Sequence, residues 1–105
     1  MRNALLCAAL MVATHAPLAA LAQDRLTVAL DWFVNPDHAP IVLAQELGFF
    51  ADAGLAVETV VPSDPNEPPR MAAAGRADIA VSYQPQLHLN RHAGLPLVRV
   101  GTLIG

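Results

Sequence analysis

Leu26-Thr27-Val28-Ala29-Leu30-Asp31-Trp32-Phe33-Val34-Asn35-Pro36-Asp37-His38 is the stretch on which the fold turns. Its first five residues form a short apolar run rich enough in branched side chains for a buried strand. At Asp31 the character changes. Asn35-Pro36 and Asp37 are turn formers, and Pro36 stops regular structure because it has no backbone N–H to give. A buried strand thus empties into a polar and aromatic loop.

The chain downstream repeats this alternation. Pro40 fits the first turn of a helix, where a missing N–H costs nothing. Ile41, Leu43, Ala44 and Leu47 give that helix an apolar face, and Gly48 closes it. Phe49 to Gly54 reads as one extra helical turn. Ala56 to Val61 is a second strand. Pro62 to Pro69 holds four prolines and is a loop. A short helix over Pro69 to Ala74 ends at Gly75, and Asp78 to Ser82 forms a third strand. Pro85 to Ala93 is a further helix, followed by Gly94, and Leu97 to Ile104 reads as a fourth strand. The order β-α-β-α-β-α-β predicts an α/β fold with a mostly parallel sheet covered on both faces. In such sheets ligands sit at the carboxyl ends of the strands, near a switch in strand order.

Upstream, the first 22 residues have the layout of a removable export signal. Arg2 gives a positive start, Ala4 to Ala13 is apolar, and Ala20-Leu21-Ala22 is a small-residue cleavage pattern. The apolar run is shorter than the ~20 residues of a membrane span. An apolar helix retained on the protein is the alternative. Cleavage after Ala22 leaves 23–105, in the size range where one core is marginal without help. The sequence has 105 residues, a net charge of −3 and no lysine. With no basic patch, nucleic acid is not expected as a partner. The one cysteine, Cys7, lies inside the expected signal. The mature piece then has no disulfide and no thiolate metal site.

Two constellations carry chemistry. In Asp31 to His38, Trp32 can stack on a planar ligand. Asn35 offers a donor and an acceptor, and His38 can offer one of each. Equally, Trp32 and Phe33 can cap the core while the polar residues make turns. In Val81-Ser82-Tyr83-Gln84-Pro85, three polar side chains stand where a strand becomes a helix and backbone N–H groups are free. Plain helix capping by Ser82 or Gln84 explains the same residues. His88 and His92 share a helix face, but no third metal ligand is evident, so a solvated face is the simpler reading. No phosphate loop and no serine nucleophile elbow is present.

Asp31-Trp32-Phe33-Val34-Asn35-Pro36-Asp37-His38-Ala39-Pro40, Gly48-Phe49-Phe50, Ala53-Gly54-Leu55, Asp64-Pro65 and Ala74-Gly75-Arg76-Ala77-Asp78-Ile79-Ala80-Val81-Ser82-Tyr83-Gln84 together resemble the thiamine-pyrimidine family. The resemblance covers nearly all of 23–105. It implies a periplasmic-binding-protein type II-like fold of two lobes closing on a ligand, of which this chain supplies part of the first. One branch of that family binds pyrimidine precursors of thiamine for ABC importers. It implies a periplasmic location, a permease and an ATPase as partners, membrane contact only through the permease, and no cofactor. The other branch comprises pyrimidine synthases that use pyridoxal phosphate on a lysine and consume a nearby histidine. By spacing, those positions are Ser82 and Gln86 here. Without an amine no Schiff base forms. The carrier branch is therefore expected, with Asp31, Trp32, Asn35, His38, Ser82, Tyr83 and Gln84 lining the pocket and no catalytic residue.

Overall fold

A computed structural model describes residues 22–105; apart from Ala22, the expected signal lies outside them. Strand β1 (Asp24–Ala29) leads through a 3-10 turn (Pro36–His38) to α1 (Ala39–Glu46) and a single turn, α2 (Phe49–Asp52). Strand β2 (Leu55–Val60), α3 (Glu67–Ala73), β3 (Ile79–Ala80) and α4 (Gln84–His92) follow. Proline stands in the first turn of α1, α3 and α4, where the orphan N–H it lacks is not missed. Gly48, with φ of +77°, sits between α1 and α2. A side chain would be strained in that left-handed conformation, so glycine allows the abrupt change of helix axis.

The sheet is parallel, with strand order β2-β1-β3. β1 pairs β2 from Asp24↔Leu55 to Ala29↔Val60, and β3 at Val28↔Ile79 and Ala29↔Ala80. The chain therefore goes to one side of β1 first and then crosses to the other. Right-handed crossovers in opposite directions place α1 and α3 on opposite faces. The switch in direction falls between the carboxyl ends of β1 and β3. The buried apolar residues sit on the central strand and beside it: Val28, Ala29, Leu30 and Ala77. Pro68 and Pro69 of α3 are buried as well.

The α/β class and the parallel sheet are as the sequence leads one to expect, with two corrections. The segment Leu97 to Ile104 is not a strand. Val98, Val100 and Ile104 stand exposed. Alternating branched residues favour extended chain, but a strand needs a ladder partner. β3, the neighbour it would need, pairs over only two residues. β3 is short because its start is held by a side chain: the Thr27 N–H donates to Asp78 Oδ2 at 2.7 Å, while the Asp78 N–H returns to the Thr27 carbonyl at 2.9 Å. Second, only Ile41 and Ala44 of the expected α1 face are partly covered, and Leu43 and Leu47 are exposed. Leu43 and Leu47 form their own i, i+4 row, displaced around the helix from the row that meets the sheet.

Candidate functional site

Three loops leave the carboxyl edge of the sheet, one from each strand. The first begins at Leu30, whose N–H donates to the Val60 carbonyl at 2.8 Å, and the third at Val81, whose N–H donates to the Ala29 carbonyl at 2.8 Å. Neighbouring strands lie about 4.8 Å apart, so the Asp31 loop and the Ser82 loop start side by side.

The first loop folds back on itself. The side-chain oxygen of Asn35 accepts from the Asp37 N–H at 2.9 Å, and its amide nitrogen donates to the Phe33 carbonyl at 3.0 Å. This Asx turn starts the 3-10 turn and brings His38 back beneath Asp31. His38 is 1% exposed. Its Nε2 lies 2.8 Å from Asp31 Oδ1, and its Nδ1 accepts from the Asn35 N–H at 3.4 Å. Because Nδ1 accepts, the proton of the neutral ring belongs on Nε2, where it donates to the carboxylate. Both ring nitrogens are thereby engaged within the protein. His38 supports the loop from below, and it is Trp32 that stands in the open, 53% exposed, with Phe33 packed edge-on at 5.7 Å between ring centroids.

Asp31 is tied to the end of its own loop through His38. Burial raises its carboxyl pKa, but hydrogen bonding, from His38 above all, outweighs this and holds it below its ordinary 3.8. The nearby Asp31 carboxylate pushes the Tyr83 phenol above its ordinary 10.0. Because its folded value is depressed, the Asp31 tie contributes stability above pH 3.8 that is lost as pH falls through the lower folded value. The urea midpoint is therefore expected to fall between pH 5 and pH 3. It should fall less in Asp31→Asn; equal acid sensitivity of the two proteins would contradict the tie.

The Ser82 Oγ donates to Gln86 Oε1 of α4 at 2.7 Å. Gln86 Nε2 donates to Asn66 Oδ1 at 2.8 Å. Asn66 is held by Asp64, whose Oδ1 accepts from its backbone N–H at 2.8 Å and its side-chain Nδ2 at 3.1 Å. The loop after β2 thus joins the one after β3, which the sequence reading missed. The Asp64-x-Asn66 spacing of an Asx turn was its available signal. Gln84 opens α4 and is exposed.

The structure thus pairs Asp31 with His38, joins Ser82 through Gln86 to Asn66, and leaves Trp32 and Tyr83 exposed at adjacent strand ends. One cavity of about 210 Å³ opens between the first loop and α1, lined by Leu30, Val34, His38, Ile41 and Gln45 among others, and one of about 300 Å³ lies along β1 and β2 near Arg25 and Val57. Neither is lined by Trp32, Ser82, Tyr83 or Gln84, and the exposed aromatic and polar groups at the strand-end switch point make that edge the candidate site. No group of His, Cys, Asp and Glu that could hold a metal ion occurs among the described residues. His88 and His92 are exposed on α4.

The family described as NMT1/THI5 like matches residues 35–105. A protein of Haemophilus influenzae named for thiamine biosynthesis is 54% identical over 87 residues, 83% of this chain and 28% of its own. A formylaminopyrimidine-binding protein of Halalkalibacterium halodurans is 39% identical over 83 residues, 79% of this chain and 25% of its own. A 4-amino-5-hydroxymethyl-2-methylpyrimidine phosphate synthase of Uromyces fabae is 32% identical over 84 residues, 80% of this chain and 25% of its own. The chain spans about a quarter of the length of these relatives.

Proposed function

This chain belongs to the NMT1/THI5-like family, whose fold is periplasmic-binding-protein-like, and we propose that it is the pyrimidine-holding first lobe of a transport binding protein. The reading rests on one observation. Ser82 and Gln86, at the spacing where the resembling synthases carry lysine and histidine, are spent on each other through a 2.7 Å hydrogen bond. A lysine amine attacks an aldehyde and loses water to form the C=N bond of a Schiff base; a serine hydroxyl has no nitrogen and forms none. What the edge offers instead is an exposed indole beside oriented polar groups, which suits holding a flat heterocycle.

In this reading the ring stacks on Trp32 while Ser82, Tyr83 and Gln84 meet its polar edge. Asp31, Asn35 and His38 keep the first loop in shape. The first 22 residues direct export, the protein works in the periplasm, and an ABC permease and ATPase receive the ligand. A second lobe closes the cleft from above. The opposing reading is a synthase, and relatives so named exist. Incubation with pyridoxal phosphate and iron separates the two. The carrier reading expects no Schiff-base absorbance band and no pyrimidine product. Either signal would assign the chain to the synthases.

A further inference from the structure

We infer that the hydrogen-bonded relay Asp64–Asn66–Gln86–Ser82 sets ligand specificity by making Ser82 a pure hydrogen-bond acceptor toward the cleft, so that the ligand group at Ser82 is an N–H donor such as a ring amino group. The inference rests on the proposed pyrimidine site and names what that site selects.

The polarity of the relay is fixed from its far end. An ionised carboxylate only accepts. Asp64 is kept ionised, its pKa lowered first by the hydrogen bond from the Asn66 backbone and then by that from its side chain. Asn66 must therefore turn its NH2 toward Asp64, which leaves its Oδ1 facing Gln86. Gln86 must answer with its own NH2, which leaves its Oε1 facing Ser82. An amide oxygen only accepts, so the one proton on Ser82 Oγ is committed to it. Only lone pairs remain on Ser82. A ligand that offers an acceptor there meets lone pair against lone pair, and one that offers N–H completes the chain. A site built to bond one polarity rejects the other because a buried polar group is left unpaired.

Asn66 and Gln86 lie outside the residues that meet the ring, so they can be changed without removing the pocket. The test is an NMR titration of the full chain, which reads dissociation constants into the millimolar range. The probes are 4-amino-2-methylpyrimidine and its 4-methoxy counterpart. The wild type is expected to prefer the amino probe by about tenfold or more, the equivalent of one hydrogen bond of about 1.4 kcal/mol. In Gln86→Leu the Ser82 proton is released. The methoxy probe then gains affinity, and the preference falls toward unity. Asn66→Ala frees the Gln86 amide to turn over and moves the ratio in the same direction. A merely structural role would weaken both probes alike. If the amino probe binds but both variants keep the wild-type ratio, the relay inference is overturned while the pyrimidine site stands. If neither probe binds the wild type, both fall together.

Discussion

Replacing His38 by leucine is expected to cost about 3 kcal/mol of folding stability, the cost of leaving a buried carboxylate without its hydrogen-bond donor. His38 is 1% exposed and the Asp31 side chain 10% exposed, so water cannot replace the lost contact. Urea unfolding of residues 23–105 measures it. A core of this size leaves little reserve, so the variant is expected to be largely unfolded at 37 °C. The double variant Asp31→Leu/His38→Leu should recover most of the loss, because an apolar pair leaves no buried charge unpaired. If His38→Leu unfolds at the wild-type urea concentration, the pair is not the support described here.

Trp32→Ala is expected to weaken pyrimidine binding by about 10- to 100-fold, the range found when an aromatic platform under a base is removed. Stability should change by less than about 0.5 kcal/mol, since the indole is more than half exposed and holds no core. The two variants therefore separate support from contact. His38 acts on folding, and Trp32 acts on affinity. An unchanged affinity in Trp32→Ala would remove the stacking role.

Much of this was legible in the sequence because it is local. The apolar run ending at Leu30, the proline-started helices and the turn residues of Asn35–Asp37 each announce themselves within a few positions. The placing of both polar-aromatic loops at strand ends follows from the same alternation. The roles within the loops were less legible. His38 looks from its type like a ligand group, yet the 3-10 turn carries it seven residues back to Asp31, where burial engages both of its nitrogens. That depends on the path of the chain and not on residue type. Asn66 and Gln86 are separated by 20 positions, and no periodicity links them. Leu97 to Ile104 fails as a strand for the converse reason: its side chains favour extended structure, but its pairing partner is set by the short β3 elsewhere in the chain.

The central claim is that the ligand surface lies between the ends of β1 and β3. It is tested most directly by following the backbone amides of the full chain while adding 4-amino-5-hydroxymethyl-2-methylpyrimidine. The account predicts saturable shifts at Trp32, Ser82, Tyr83 and Gln84, with Arg25, Leu26 and Ala56 at the far end of the sheet unmoved. Saturable shifts confined to that far end, or none anywhere up to the solubility limit of the pyrimidine, would contradict it.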